Sequence, residues 1–385
     1  MICDSTRLQS SKILRPILFA LLLALALPGC GQGPDAVNFD GLKIVDRMDL
    51  EYAQQFIVDH LANGCSLISI SESGCFLLVP EGKEPPANIS SDVTILRQPL
   101  KNIYLAATSA MCLFDALNSL DHISMSGTKA DGWYIEKARV AMEEGDIVYA
   151  GKYSAPDYEL LISKGCDLAI ESTMILHTPE VKEKLEDLGI PVLVERSSYE
   201  PHPLGRTEWI KLYGLLCGEE ERAQTLFDEQ VTYLHRIPSE STGKSVAFFY
   251  ISSAGNAVVR KGGDYTSKMI ELAGGRYVFA DSGDSDNGAG PMNLDLEHFY
   301  TRAKKADIII YNSAIDGEVH SLAELLAKSH LLADFEAVKS GNVWCTNKNL
   351  FQETTEFGSM IADLNRIFTG KTNNKTKLNY YYKLQ

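Results

Sequence analysis

Two stretches of the chain share one pattern of residues. Residues 158–170 read YELLISKGCDLAI, and residues 296–310 read LEHFYTRAKKADIII. In each copy a helix opens with a glutamate, Glu159 or Glu297, and an apolar strand led by an aspartate follows. Strands separated by helices of this length are typical of a parallel sheet covered on both faces. The repetition therefore predicts an α/β protein with two such units.

The same alternation of strands and helices runs from 103 to 194 and resumes from 245 to 345. Between these stretches, residues 219–236 carry apolar side chains at the spacing of a single buried stripe, which predicts one helix of about 27 Å. Helical spacing is also present at 49–61 and at 209–216. We therefore expect two α/β lobes that a long, rigid helix holds at a nearly fixed separation.

The N-terminus has the pattern of an export signal. Arg7, Lys12 and Arg15 precede an unbroken apolar run at 17–27, which is too short to span a bilayer as a helix. The run ends in Leu-Pro-Gly-Cys at 27–30, which resembles the lipobox of bacterial lipoproteins. We expect lipid chains on Cys30 to anchor the exported protein to the outer face of the cytoplasmic membrane. A buried core helix is the alternative interpretation of the apolar run.

The predicted organisation has six parts. They are a lipoprotein signal peptide (1–29), a tether (30–40), an N-terminal lobe (41–218), a connecting helix (219–238), a C-terminal lobe (239–370) and a polar tail (371–385).

Composition excludes several classes of protein. The chain has 385 residues, 36 of them basic and 51 acidic, for a net charge of −15, and 45% of its residues are apolar. Removing the signal peptide, with its three basic residues and one acidic residue, leaves −17. An acidic chain without basic runs is a poor partner for nucleic acid. The apolar content is that of an ordinary globular protein.

Six cysteines remain beyond Cys3 in the signal and Cys30 at the anchor. None forms a CxxC pair, and several lie in apolar segments, which predicts buried free thiols. A hairpin bridge between Cys65 and Cys75 is the alternative, since an exported location permits disulfides.

Seven motifs in a fixed order carry a resemblance to a known family. They are Leu105-Ala106-Ala107-Thr108-Ser109, Glu159 with Asp167, Leu188-Gly189-Ile190-Pro191-Val192, Leu215-Leu216-Cys217-Gly218-Glu219-Glu220, Glu271-Leu272-Ala273-Gly274-Gly275, Glu297 with Asp307, and the segment from Ala337 to Trp344. With them the chain resembles the class III substrate-binding proteins of ABC importers, which capture iron–siderophore complexes, haem and cobalamin. The resemblance implies two Rossmann-like lobes joined by one rigid helix, with the ligand in the cleft between them.

The resemblance also implies partners. In this family a glutamate on each lobe pairs with arginines of the permease, and Glu159 and Glu297 occupy the matching positions. The alternative is structural, because an acidic residue in the first turn of a helix stabilises it by about 0.3–1 kcal/mol. An ABC permease with its ATPase, a small-molecule metal chelate and the membrane through the lipid anchor are the expected partners of a monomer.

Ligand contacts are expected beyond the carboxyl ends of the strands. Aromatic side chains there can stack on a macrocycle or a catecholate, and arginines can grip carboxylates in a fork geometry. The predicted ligand-binding residues are Trp133, Tyr134, Tyr153, Met174, Arg196, Tyr199, His202, Arg206, Tyr250 and Arg260. Their alternative roles are packing and, for Arg206, an ion pair with Glu200 or Glu208.

No dedicated metal site is expected, because the eight histidines are scattered. The zinc and manganese binders related to this family are therefore poor models. His202 or Tyr199 as an axial ligand of haem is kept as a hypothesis, since both residue types fill that role.

We expect a binding protein for a ferric siderophore, with haem or cobalamin as alternative ligands and no resident cofactor. An exported enzyme is the distant alternative: HExxH and GxSxG motifs are missing, and Gly243-Lys244-Ser245 lacks the first glycine of a phosphate loop. A purely structural lipoprotein would have no use for the expected cleft.

Overall fold

The computed structural model describes residues 43–87, 89–238, 240–282, 289–372 and 378–385. These described residues belong to one compact unit. The described strands make three large sheets and one short two-stranded ribbon. The predicted signal peptide, the tether and Cys30 lie outside the described residues.

The first sheet precedes the predicted α/β alternation. Its strands, in spatial order, are β1 (Ile44–Arg47), β2 (Phe56–Leu61), β3 (Ser66–Ile70), β4 (Gly74–Val79) and β5 (Val93–Arg97). Neighbouring strands are antiparallel from β1 to β4, whereas β5 is parallel to β4.

The helix predicted at 49–61 is wrong, because most of its second half is strand β2. Phe56 and Val58 are buried in the main core, while Ile57 between them is exposed. That alternation is the period of a strand, and pairing with β3 fixes it. The apolar spacing in this segment fits both a helix and a strand, so pairing decides the structure.

The second sheet is entirely parallel, as the alternation predicted. Its region contains β6 (Ile103–Leu105), β7 (Ile123–Ser126), β8 (Val148–Tyr149), β9 (Gly151–Lys152), β10 (Ala155–Pro156), β11 (Leu168–Ser172) and β12 (Val192–Glu195), with helices α1 (Met111–Ala116), α2 (Glu136–Glu144), α3 (Tyr158–Ser163) and α4 (Pro179–Asp187). The strand order is β12-β11-β6-β7-β8, and β9 pairs with β10 as the ribbon. Apolar cores lie on both faces of the sheet.

Two helices follow the second sheet, α5 (Pro203–Cys217) and α6 (Glu220–His235). The prediction placed the start of α5 near Trp209, but the helix begins six residues earlier, with Pro203 in its first turn. The two helices pack closely at Gly214, where a Cβ atom would lie 2.6 Å from the Cβ of Ala223. Helix α6 is the segment that was predicted to connect the lobes.

The third sheet mixes parallel and antiparallel strands. Its region contains β13 (Ser245–Ile251), β14 (Ala257–Arg260), β15 (Arg276–Tyr277), β16 (Pro291–Leu294), β17 (Ile308–Tyr311), β18 (Val343–Thr346) and β19 (Tyr381–Lys383), with helices α7 (Tyr265–Leu272), α8 (Leu296–Ala303), α9 (Ser313–Asp316), α10 (Leu322–Lys328), α11 (Glu336–Lys339) and α12 (Phe357–Phe368). The strand order is β16-β14-β13-β17-β18-β19, and β15 pairs with β13. Strands β13, β15, β17 and β18 are mutually parallel where they pair.

The predicted α/β class is therefore confirmed, with parallel and antiparallel sheets together. Two lobes on one rigid helix, and the domain boundaries, stay predictions. The segment predicted as a polar tail ends in β19, which pairs with β18, so its last residues belong to the third sheet.

The six cysteines of the described residues are free thiols. Cys65, Cys112 and Cys345 are buried, as small apolar side chains usually are. The alternative Cys65–Cys75 bridge is not formed. Cys75 instead lies opposite Ser69 in the β3–β4 pair, and Cys65 precedes β3 at the other end of the hairpin.

Candidate functional site

Several exposed apolar side chains follow the carboxyl ends of the parallel strands. Among the described residues, 13 large hydrophobic side chains are exposed, and six of them lie at such strand ends or in the loops and helical turns that follow them. We call these six the apolar rim: Tyr134 after β7, Tyr149 at the end of β8, Met174 and Leu176 after β11, Tyr199 after β12, and Ile315 after β17. Exposed apolar surface at the carboxyl edge of such a sheet is a feature of ligand sites.

Two rings of the apolar rim have a cation beside them. The Lys129 ammonium lies 5.6 Å from the centre of the Tyr149 ring, and the Arg196 guanidinium lies 4.3 Å from that of Tyr199. Cations near an aromatic face are attracted to its electron density. The rim therefore offers apolar surface and positive charge together, a combination suited to an anionic ligand with flat or apolar faces.

Arg196 is held more firmly than Lys129. It follows β12, is only 5% exposed, and pairs through Nη1 with Glu72 at 2.8 Å. Glu72 lies in the turn between β3 and β4, so the first sheet reaches the strand ends of the second. No sequence motif marks Glu72 as part of a site.

Several predicted ligand residues are packed into the fold. Trp133 is 3% exposed in the apolar core between the first and second sheets, and it donates through Nε1 to Ser126 Oγ at 3.3 Å. Its indole therefore has no face open to a ligand. Tyr250 is half-buried against the third-sheet core. Tyr153 is half-buried near the β9–β10 ribbon. Of the aromatic residues predicted here, Tyr134 and Tyr199 are the ones on the rim.

His202 caps helix α5. Its Nδ1 accepts a hydrogen bond from the Leu204 backbone amide at 3.2 Å, and its ring stacks on Tyr52 at 4.6 Å. Burial is the main reason that the pKa of His202 falls to about 4, so the imidazole is neutral at pH 7. Because one ring nitrogen and one face of the ring are already engaged, the main role of His202 is structural.

Arg206 and Arg260 meet at a different place, around Tyr265. Arg206 lies in the first turns of α5 rather than in a loop, is 5% exposed, and stands 4.2 Å from the Tyr265 ring centre. Arg260, at the end of β14, stands 5.7 Å from the same ring, with its Nε 3.4 Å from Asp264. The predicted ion pairs of Arg206 with Glu200 or Glu208 are not formed. The Nε atoms of both arginines lack a hydrogen-bond partner among the described residues.

A segment after β18 ties the third sheet to loops of the second. The Tyr134 amide donates to Gln352 Oε1 at 2.8 Å, and Gln352 Nε2 donates to the Gly132 carbonyl at 2.8 Å. The buried Thr354 continues the contact, since its Oγ1 donates to the Ser109 carbonyl at 3.2 Å and its own carbonyl accepts from Thr207. Lone amide and hydroxyl side chains give no sequence signal, so these contacts were not predicted.

Glu171 is a second unpredicted feature. It is the penultimate residue of β11, is completely buried, and neither carboxyl oxygen has a hydrogen-bond partner among the described residues. Burial raises its pKa to about 8, so the group is mostly protonated at neutral pH. Perturbed acids near strand ends are candidates for functional groups.

The two halves of the repeated phrase have the same construction. Asp157 and Asp295 cap helices α3 and α8, and leave Glu159 and Glu297 exposed in the first turns. Aspartates lead the following strands: Asp167 Oδ2 accepts from the Lys101 and Asn102 amides, and Asp307 Oδ2 accepts from the Ser245 amide and hydroxyl. The hydrogen bonds from Ser245 lower the pKa of Asp307. The four aspartates therefore have structural roles, whereas the side chains of the two glutamates are exposed to solvent.

No cluster of three or more His, Cys, Asp or Glu side chains in the described part of the chain has a geometry that could hold a metal ion. In the same residues, no helix combines the length and the apolar character that crossing a membrane requires.

Known proteins resemble this chain in sequence and in fold. The Periplasmic binding protein family matches residues 117–350, which is more than half of the chain. The uncharacterized lipoprotein MJ0872 of Methanocaldococcus jannaschii is 28% identical over 351 residues, which cover 87% of each chain.

Solved structures share the fold at low sequence identity. A periplasmic heme binding protein from Pseudomonas aeruginosa has a TM-score of 0.55 at 15% identity, over 74% of this chain and 99% of that one. An ABC-type Fe3+-hydroxamate transport system from Saccharomonospora viridis has a TM-score of 0.54 at 18% identity, over 71% of this chain and 94% of that one. Proteins of the matching family bind small molecules outside the cytoplasm and work with ABC transporters. The chain belongs, as its motifs predicted, to the periplasmic binding protein family.

Proposed function

We propose that this protein is a lipid-anchored solute-binding protein that captures an iron complex of the siderophore type and delivers it to an ABC permease. The ligand lies in a cleft between two lobes, built around the second and third sheets and joined by α6. Cys30 carries the anchor. The Leu-Pro-Gly-Cys motif and the name of the lipoprotein MJ0872 support the anchor.

The apolar rim is the observation that carries the proposal. Its six side chains are exposed at the strand ends where ligands of open α/β sheets bind. Covering them with a ligand gains roughly 25 cal/mol for each Å² of apolar surface removed from water. Lys129 and Arg196 beside two of the rings add attraction for negative charge, which ferric siderophores often carry.

Haem and cobalamin are the alternative ligands. An axial ligand for haem iron would have to come from a free ring nitrogen or phenolate. His202 is poorly placed for this role, because it caps α5 and is stacked on Tyr52. Tyr199 is exposed on the apolar rim and is therefore the better candidate for such a ligand.

A calorimetric titration of the purified full chain tests the proposal. The probes are ferrichrome, a ferric catecholate, haemin and cyanocobalamin. We expect saturable one-to-one binding of a ferric chelate with a dissociation constant at or below about 1 μM. If haemin or cyanocobalamin is the one probe that binds, that molecule, and not a siderophore, is the ligand. Failure of all four probes to bind would contradict the proposal.

Glu159 and Glu297 are proposed to dock on the permease, since both are exposed at matching helix starts. We expect the double variant Glu159→Lys, Glu297→Lys to lose uptake of the chelate while its affinity for the chelate changes less than about twofold. The measurement is chelate uptake by cells that express the protein with its transporter, together with the titration above.

A matched control for docking exists in the chain. Glu180 and Glu336 are also exposed in the first turns of helices, α4 and α11. Reversing both of their charges should leave uptake intact. Normal uptake by the Glu159, Glu297 double variant would remove the docking role.

A further inference from the structure

The first sheet lies outside the family match, yet it reaches the apolar rim. The turn between β3 and β4 makes two contacts with the end of β12. Ser73 Oγ accepts a hydrogen bond from the Val194 amide at 2.9 Å, and Glu72 Oε2 lies 2.8 Å from Arg196 Nη1. Glu72 adopts the left-handed backbone conformation, with φ of 54°, which is uncommon for a residue other than glycine.

The two partners of this ion pair are held very differently. Arg196 is 5% exposed, is stacked on Tyr199 and precedes a short helical turn, so contacts other than the one with Glu72 also hold it. Its Nε has no hydrogen-bond partner among the described residues. The side chain of Glu72 is 75% exposed, and Arg196 is its one ion-pair partner in the described part of the chain.

This asymmetry makes Glu72 the exchangeable partner. An ion pair with one exposed member is weak, because water competes for the carboxylate. A guanidinium offers two parallel N–H groups to a carboxylate. Glu72 contacts Arg196 through Nη1, and the buried Nε–H of Arg196 has no partner among the described residues, so a carboxylate in the place of Glu72 that engages both groups would be a better match.

We propose that Arg196 is an anion subsite of the ligand site, that Glu72 occupies it in this structure, and that a carboxylate of an acidic metal chelate displaces Glu72. The proposal rests on the proposed function and narrows the ligand to a chelate that bears carboxylates. It also makes the first sheet a determinant of specificity, because the sheet supplies the competing acid.

The alternative is a purely structural role, in which the ion pair fastens the first sheet to β12. The two roles predict opposite effects of Glu72→Gln. A fastening role predicts lower stability and unchanged or weaker ligand binding. The subsite predicts tighter binding of carboxylate ligands, because the competing acid is gone.

The test titrates the full chain and two variants with ferric citrate, with ferrichrome, which carries no carboxylate, and with citrate alone. Glu72→Gln is the test variant. Glu84→Gln is its control, because Glu84 forms an exposed ion pair with Arg97 in the same sheet. We expect Glu72→Gln to tighten the binding of ferric citrate and citrate about threefold to tenfold and to leave ferrichrome unchanged. The control should change nothing.

Unchanged or weaker binding of both citrate probes to Glu72→Gln would overturn the subsite, as would an equal gain for ferrichrome. Binding of citrate alone separates the two proposals. If every ferric chelate fails to bind while Glu72→Gln still gains affinity for citrate, the subsite stands and the iron-complex function falls. Arg196→Lys is a second test variant. It should lower the affinity for citrate, because an ammonium cannot offer a carboxylate two parallel N–H groups, and urea unfolding of the variant shows that it is folded. Unchanged affinity for citrate in the folded variant would also overturn the subsite.

Discussion

At the scale of single residues, Glu171 is the least expected feature of the molecule. A carboxyl group that is fully buried without a hydrogen-bond partner opposes folding when it is charged. Burial raises its pKa to about 8 in the native state, whereas in the unfolded chain it titrates near its ordinary value of 4.5. Between these values the native protein binds one more proton than the unfolded chain, so stability falls as pH rises.

Glu171→Gln should therefore stabilise the protein in a pH-dependent way. Glutamine has the shape of the protonated acid but never ionises, so the gain should be small near pH 5 and grow to roughly 1–3 kcal/mol at pH 8. Urea unfolding at pH 5, 7 and 8 measures it. Glu183→Gln, at an exposed position of α4, is the control and should show no such trend. If Glu171→Gln loses the same stability at pH 5, 7 and 8, the carboxyl group of Glu171 has a hydrogen-bond partner in the native protein.

The residues of the site show what sequence can and cannot reveal. Met174 and Tyr199 follow strands, and their exposure at the strand ends agrees with their predicted position. Trp133 also follows a strand, but it is buried, because side-chain direction in a loop depends on packing that no local pattern encodes.

At the scale of elements, two buried glutamates attach the start of the first sheet to the body of the protein. Glu208 in α5 accepts hydrogen bonds from the amides of residues 51–53 at 2.7–3.1 Å, and from Lys211 Nζ at 2.9 Å. Glu200 accepts from the amides of Gln54 and Gln55 at 2.8 and 3.0 Å. Five consecutive amides of an irregular segment are thus satisfied by two side chains, which explains why neither glutamate is available to Arg206.

Glu208→Gln should loosen this attachment. In the variant an NH2 group replaces one carboxylate oxygen, so a hydrogen-bond donor faces the backbone N–H donors. Lys211 also loses its buried, negatively charged partner. Removing one member of a buried ion pair costs about 3–5 kcal/mol. Urea unfolding measures the loss, and limited proteolysis should cut first within 49–55. Glu220→Gln, at an exposed position of α6, should stay within about 0.5 kcal/mol of the parent. Parent-like unfolding of Glu208→Gln would show that the amides find other partners.

Elements with a strong local pattern were predictable, and those defined by pairing were not. Strands β11 and β12 follow from apolar runs, and helix α4 follows from the helical spacing of its few apolar residues between Pro179 and Gly189. Strand β2 and strand β19 exist because distant partners, β3 and β18, supply their hydrogen bonds. The early start of α5 escaped prediction because His202-Pro203 also fits a loop, whereas here His202 caps the helix.

At the scale of the whole molecule, the candidate site gathers residues that lie far apart in the chain. Glu72 comes from the first sheet, the apolar rim mainly from the second, and Gln352 from the segment after β18. The sequence predicts at which edge of the sheet a ligand should bind, since that edge follows from parallel topology, and the binding itself stays a prediction. It could not predict the contributions of residues 72 and 352, because these depend on contacts across the fold.

Hydrogen–deuterium exchange with and without a saturating ferric chelate tests whether a chelate binds at the strand ends. We expect slower exchange in residues 127–134, 173–177 and 196–199, and unchanged exchange in α6. Unchanged exchange in all three segments, or slowing confined to parts of the chain away from the strand ends, would contradict it.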